Sequence, residues 1–267
     1  MLAIEEVTKS LASGDGVLVR VHETAGSAPR EAGAWMAVFR DSVTGTIGGG
    51  HLELQAIAEA RRRLSGTSGA EVLRYPLGPS LGQCCGGVVH LRYVRITKAD
   101  APELARTLQA HHVPLALFGG GHVGKALVQL LGTLPFAVTW IDSRDEIFPD
   151  TVPDNVRCEH SDPVQAAVAD LAPGSRVLVM SFSHAEDLDI VAACLKRLRE
   201  RGDLPYVGLI GSKSKWATFR HRLEERGFVD ADFARITCPI GIPGIAGKEP
   251  EVIAVAVAAQ LLQVPLP

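Results

Sequence analysis

No run of apolar residues in this chain approaches the roughly 18 needed to span a bilayer as a helix. The longest, such as V-I-A-V-A-V-A-A at 252–259, stop well short. The N-terminal segment carries acids at Glu5 and Glu6 and no long apolar stretch. It reads as an amphipathic helix ending near Gly14, with no secretion signal in view. A chain that neither enters nor crosses a membrane is the expectation. Charge of one sign is also missing: 27 Lys and Arg against 30 Asp and Glu leave a formal charge of -3. Such a balance provides no long-range field to gather nucleic acid or an anionic surface, so neither is expected as a partner.

Cysteines at paired spacings are absent too. The five, at 84, 85, 158, 194 and 238, include no C-x-x-C spacing. With an odd count and 267 residues to build a core, disulfide stapling is not expected. A reducing cytoplasm fits best. Internal repeats and low-complexity tails are likewise lacking.

Two patterns divide what is present. From 16 to 95 the chain is mostly strand-like: G-V-L-V-R-V-H at 16–22, A-W-M-A-V-F-R at 34–40, E-V-L-R-Y at 71–75 and G-V-V-H-L-R-Y-V at 87–94. One stretch in this half, 51–64, has helical spacing at Leu52, Ile57, Ala60 and Leu64. These features predict an N-terminal α+β domain over 1–100, followed by a linker helix within 101–112. From 113 onward, apolar strands near 114–118, 136–141, 155–158, 175–180 and 206–210 alternate with helices near 122–132, 163–171, 185–200, 213–226 and 249–262. That alternation implies βαβ units, so the fold class is α/β, with a C-terminal Rossmann-like domain and a mainly parallel sheet over 113–267. Before the last helix, Gly247 and Lys248 stand where a Ser or Thr cap would be stronger.

In L-A-L-F-G-G-G-H-V-G, Gly119, Gly121 and Gly124 fall in G-x-G-x-x-G register between a strand and a helix. In that arrangement the first glycine makes the turn, the second lets backbone approach a phosphate, and the third lets helix pack on strand. Asp142 ends the next strand, at the distance from the loop where an acid can bond a ribose hydroxyl. An Asp there argues against a 2′-phosphorylated ligand, although Arg144 two residues later blurs that inference. Other strand ends should reach the same edge, bringing His184 and the group Ser212, Lys213 and Lys215. A nucleotide or nucleotide-bearing cofactor is the reading. The alternative is an inherited turn with a structural histidine and solvated lysines.

A second glycine cluster, Gly48, Gly49 and Gly50, runs into the helix at 51, with His51 and Glu53 behind it. Consecutive backbone N–H groups at a helix start suit an anion; a tight turn needing positive φ is the plainer explanation. Further on, L-G-Q-C-C-G-G places Cys84 and Cys85 side by side after Gln83. A disulfide between neighbours is strained and disfavoured in a reducing compartment, and structural zinc lacks its other ligands. Two readings stay open: a reactive thiolate in a glycine-flanked loop, suited to soft metals and sulfur, or two small inert cysteines.

The chain resembles the XdhC/CoxF family, accessory proteins of molybdenum hydroxylases such as xanthine dehydrogenase. The resemblance runs nearly end to end. It is carried by V-H-E-T-A-G-S-A-P-R-E-A-G-A-W-M (21–36), G-T-I-G-G-G-H-L-E (45–53), G-Q-C-C-G-G (82–87), F-G-G-G-H-V-G (118–124), I-D-S-R (141–144), S-H-A-E-D-L-D (183–189), G-L-I-G-S-K-S-K (208–215) and P-I-G-I-P-G-I-A-G (239–247). It implies a chaperone that binds the molybdenum cofactor (molybdopterin), protects it while a cysteine desulfurase replaces a terminal oxo ligand with sulfur, and delivers it to a xanthine dehydrogenase-type molybdoenzyme. On that reading the chain is not itself an enzyme. Cys84 and Cys85 would contact the molybdenum, and the glycine loops would hold the phosphate. Whether the Rossmann loop takes the pterin, its nucleotide form or NAD stays open. A homodimer is expected from an apolar C-terminal helix. The rivals are an NAD-dependent oxidoreductase, for which His184 and Asp187 make a thin acid/base pair, and a redox-sensing regulator that uses the cysteine pair as a switch.

Overall fold

A computed structural model of the chain describes residues 2–78, 86–109 and 112–265. The chain divides into two compact units, Leu2–Ala110 and His111–Pro267.

The first unit holds α1 (Leu2–Ser13), β1 (Gly16–Ala25), β2 (Trp35–Val38), β3 (Val43–Gly45), α2 (Gly50–Leu64), β4 (Val72–Pro76), β5 (Val88–Ile96) and α3 (Ala101–Gln109). Its five strands form an antiparallel sheet in the order β3-β2-β1-β5-β4. Strand alternation sends side chains to opposite faces. Val17, Val19 and Val21 meet Leu52, Ala56 and Ala60 of α2, whereas Leu18 meets Ile4, Val7 and Leu11 of α1 and Leu104 and Leu108 of α3. Both faces of β1 are therefore buried, which is why its sequence is nearly continuous in apolar residues. The helix expected as a linker is α3, and it belongs to this core. Leu104 and Leu108, one turn apart, give it an apolar stripe to bury, so the unit boundary falls after the helix.

The second unit holds β6 (Val113–Phe118), α4 (His122–Leu131), β7 (Phe136–Asp142), β8 (Val156–His160), β9 (Arg176–Val179), α5 (His184–Glu200), β10 (Tyr206–Leu209), α6 (Lys213–Glu225), α7 (Asp230–Phe233), β11 (Ile236–Thr237) and α8 (Pro250–Gln263). Its six strands are all parallel, in the order β11-β10-β9-β6-β7-β8. On one face Leu115 and Leu117 pack with Leu127 and Leu131 of α4 and Val257 and Leu261 of α8. On the other, Ala116 and Phe118 pack with Ile190 and Val191 of α5 and Phe219 and Leu223 of α6. Chain order runs outward from β6 in both directions, so the topological switch point lies between β6 and β9. Ligands of such sheets bind there, beyond the carboxyl ends of the strands.

The segment read as a helix at 163–171 is a 3-10 helix, Val164–Asp170. The start of α8 is set by Pro250 at its first turn, with Glu249 as N-cap and no side-chain capping bond. Proline needs no N–H partner there, so the missing Ser or Thr cap costs little. Among the described residues, no helix is long and apolar enough to cross a membrane.

Candidate functional site

The loop between β6 and α4 is shaped by its glycines. Gly119 has φ +121°, and a Cβ on it would lie 2.0 Å from the Met180 carbonyl oxygen, so the β6 and β9 loops touch at backbone level. A Cβ on Gly124 would lie 2.1 Å from the Gly119 carbonyl oxygen, which also accepts the Trp140 Nε1–H at 3.0 Å. Gly121 is different: as the N-cap of α4 it has φ -69°, and nothing lies within 4 Å of the Cβ it lacks. Its surroundings are open above the first turn of α4, whose N–H groups have no partner within the helix and whose dipole favours an anion.

Asp142 ends β7 beside this loop, 2% exposed. Both of its oxygens are engaged. Oδ2 accepts the Gly120 N–H at 2.6 Å and Arg144 Nη2 at 2.9 Å; Oδ1 accepts Arg144 Nε at 2.8 Å and the Arg144 N–H at 3.0 Å. Burial alone would raise the carboxyl pKa, but the Arg144 side chain and the Gly120 and Arg144 amides outweigh it and hold it below the ordinary carboxylate value. The placement of Asp142 at the loop matches the sequence expectation, and its lone pairs are spent on organising the chain.

Two contacts join the β7 loop to the β9 loop and the first turn of α5, across the strand between them. Ser143 Oγ donates to Glu186 Oε1 at 2.6 Å, and the Arg144 guanidinium lies 4.5 Å from the centre of the Phe182 ring. Phe182 is 67% exposed. Glu186 Oε2 is closed to solvent and has no hydrogen-bond partner. Sequence reasoning singled out none of Ser143, Phe182 and Glu186. The available signal was an aromatic residue shortly after a strand of the parallel sheet, in S-F-S-H.

The remaining expected residues of this edge have local duties. His184 opens α5, exposed, with its ring edge-on to Phe219 at 6.3 Å. Ser212 is the N-cap of α6, its hydroxyl accepting the Lys215 N–H at 3.1 Å. Lys213 is exposed at the first position of that helix. Lys215, grouped with it in the sequence, instead turns inward. Its ammonium donates to Asp187 Oδ2 at 2.6 Å and to the Ile210 carbonyl at 2.9 Å, while Asp187 Oδ1 accepts from the Ser181 N–H and hydroxyl. This buried ion pair ties the β9 and β10 loops to α5 and α6.

In the first unit, Gly48, Gly49 and Gly50 all have positive φ, at 120°, 78° and 66°. The cradle expected for an external anion holds an internal one. Glu53 Oε2 accepts the Ile47 N–H at 2.9 Å, the Gly49 N–H at 3.1 Å and the Thr46 hydroxyl at 2.5 Å, while the Gly48 N–H goes to Thr46 Oγ1 at 3.0 Å. Burial would raise the Glu53 pKa, yet the Thr46 hydroxyl and these amides bring it below the usual value. The loop abuts other family-motif segments: a Cβ on Gly48 would lie 2.5 Å from Pro29 Cβ, and one on Gly87 would lie 2.3 Å from the Ser27 carbonyl oxygen. Segments 25–30, 45–50 and 86–87 therefore crowd together at one end of the antiparallel strands.

Gln83, Cys84 and Cys85 lie outside the described residues. Of the described cysteines, Cys158 and Cys238 have thiols raised by burial, and Cys194 is pushed up to about 12, so all three are neutral thiols at neutral pH. Among the described residues no cluster of His, Cys, Asp and Glu has the makings of a metal site. Two clefts of the first unit, about 440 and 1010 Å³, are lined by residues such as Arg20, Arg92, Arg40 and Arg61, and by none of the expected site residues.

Comparison with known proteins follows this division. Residues 115–261 match the family model described as the XdhC Rossmann domain, and residues 11–76 match that of the XdhC and CoxI family. CoxF, the second name attached to the resemblance in the motifs, is not in either description. Over 261 residues the chain is 27% identical to YqeB, an uncharacterized protein of Escherichia coli (strain K12), covering 92% of this chain and 43% of that protein. The chain thus spans less than half the length of that curated relative. A crystal structure of a xanthine dehydrogenase from Bacillus halodurans shares the fold, with a TM-score of 0.75 at 19% identity over 98% of this chain and 95% of that one. A Rossmann-fold NAD(P)-binding family protein from Shigella flexneri reaches a TM-score of 0.38 at 15% identity, over 55% of this chain and 86% of its own, too low to carry an argument. With the Rossmann model alone matching more than half of its residues, this chain belongs to the XdhC family.

Proposed function

We propose that this chain is an accessory protein rather than an enzyme. It binds the molybdenum cofactor as cargo, protects it while a cysteine desulfurase installs sulfur, and delivers it to a xanthine dehydrogenase-type molybdoenzyme. Family membership supports the accessory role. The observation that carries the binding role is the open backbone at Gly121 above the first turn of α4, where the cofactor's phosphate would sit. Cys84 and Cys85, as soft thiolates, are the proposed contacts to molybdenum or to the incoming sulfur, with Gln83 beside them. The working form is a cytoplasmic homodimer.

An NAD-dependent oxidoreductase would need Asp142 to hold a ribose hydroxyl, and both its oxygens already accept bonds from Gly120 and Arg144. The engaged carboxylate supports the cargo reading over that rival. Anaerobic incubation with molybdenum cofactor, followed by mixing with a cofactor-free molybdenum hydroxylase, tests the proposal. The chain should bind the cofactor and restore hydroxylase activity, and Cys84→Ser or Cys85→Ser should lower affinity for the metal-bearing form more than for the metal-free pterin. Failure to bind cofactor and to restore activity, or saturable NAD(H) binding with turnover of a carbonyl substrate, would overturn it.

A further inference from the structure

One cross-strand pair of the first unit works against the fold. Arg20 and Arg92 are direct partners on the adjacent inner strands β1 and β5. Like charges set opposite each other in an antiparallel pair are destabilising. Two residues along, Leu18 and Val94 are the next partners on the same face. Leu18 is buried with residues of α1 and α3, whereas Val94 is 41% exposed. Arg92 keeps 43% of its side chain in solvent, and Glu71 Oε1 stands 3.3 Å from its Nε without a hydrogen bond between them. These two arginines, Leu18, Val94 and Leu104 of α3 line one cleft of about 440 Å³. That volume falls in the range of about 300–1,000 Å³ typical of small-ligand sites. Glu71, Asp100 and Glu103 line it as well. Asp100 is engaged by the Thr97 N–H and hydroxyl, and Glu103 is paired with Arg106, so neither is drawn to the arginines.

We propose that this cleft is a separate ligand site for a small organic monoanion, a carboxylate carried on an apolar body. The carboxylate meets the Arg20 and Arg92 guanidinium groups, whose forked N–H donors match its two oxygens. The apolar body covers Val94 and takes its exposed surface out of water. A carboxylate between the two arginines converts a repulsive pair into a cation–anion–cation bridge, which accounts for placing them opposite each other. With three acids in the lining, a ligand bearing more than one negative charge meets stronger repulsion than a monoanion. A carboxylate without the apolar body leaves Val94 in water. The site shares no residue with the proposed phosphate site at α4 and stands or falls independently of it.

Octanoate, octyl phosphate, octylamine and acetate serve as probes in calorimetry on the full chain, on Arg92→Gln and on Val94→Ser. Octanoate should bind at least about tenfold more tightly than each of the other three probes. Arg92→Gln should weaken octanoate by at least about tenfold. Its melting temperature should hold or rise, because the like-charge pair is gone and an ion pair this exposed contributes little. Val94→Ser, at an exposed position, should weaken octanoate severalfold and keep the wild-type melting temperature. The proposal is overturned if wild type fails to bind octanoate, or binds octylamine or octyl phosphate as tightly. A fall in the melting temperature of Arg92→Gln with octanoate affinity intact would make Arg92 a structural residue and overturn it too.

Discussion

Asp142 separates two accounts of the switch-point crevice, because a residue that organises the loop and a residue that holds a ribose respond differently to substitution. Replacing it with alanine leaves the buried Gly120 N–H without an acceptor, which costs about 1–3 kcal/mol. The Arg144 side chain, 36% exposed, can return to water, so loss of that pair adds only about 1 kcal/mol. Asp142→Ala should therefore destabilise the chain by roughly 2–4 kcal/mol, or about 5–15 °C in melting temperature for a unit of this size. Asp142→Asn keeps an oxygen for Gly120 and should lose about half as much. The sign with pH follows from the depressed carboxyl pKa. The stabilisation is fully present above the unfolded value of about 3.9 and is lost as pH falls through the lower folded value, so the gap between wild type and Asp142→Asn should close in acid. If both oxygens stay engaged, any nucleoside monophosphate that binds and its 2′-deoxy form should bind within about twofold of each other. The reasoning is refuted if Asp142→Ala melts within about 2 °C of wild type while wild type, but not the variant, discriminates against the deoxy ligand.

Other sites give sharper yes-or-no outcomes. Gly119→Ala places a Cβ 2.0 Å from a backbone oxygen at a positive φ, so it should cost about 3 kcal/mol or more and show as a large drop in melting temperature. Glu53→Gln removes the charge that gathers the Thr46 hydroxyl and two amides; a loss of about 1–2 kcal/mol is expected in denaturant titration at neutral pH. That loss should vanish in acid, because the lowered Glu53 pKa confines its contribution to pH above the folded value. Arg176, 2% exposed, donates to the carbonyls of Leu261 and Val264 at the end of α8. Arg176→Met should cost about 1–3 kcal/mol and speed amide exchange in the last turns of α8 ahead of the rest of the unit.

Most of the architecture was legible in the sequence, because burial writes itself into periodicity. The parallel strands read as short continuous apolar runs since both of their faces are covered, as Leu115 and Leu117 against Ala116 and Phe118 illustrate. Elements too short to show a period went unseen: β3, the four-residue α7 and the two-residue β11. α3 was visible as a helix, but its membership in the first core depends on partners in α1 that no local pattern encodes. Within the site, glycines were readable because each reports a backbone demand: a turn at Gly119, open access at Gly121, close packing at Gly124. Side-chain partnerships were not. Arg144 turning back on Asp142, Glu53 folding over its own glycine loop and Lys215 diverging from Lys213 all depend on rotamers fixed by tertiary contacts.

In the proposed function the phosphate of the molybdenum cofactor sits against bare backbone above the first turn of α4. Gly121 isolates it, since a Cβ there would meet nothing within 4 Å and its φ of -69° is ordinary for any residue. The dissociation constant of the molybdenum cofactor should be measured for wild type and Gly121→Leu, with melting temperature alongside. A loss of at least about tenfold in affinity at unchanged melting temperature is expected. Unchanged affinity in a normally folded Gly121→Leu would contradict it.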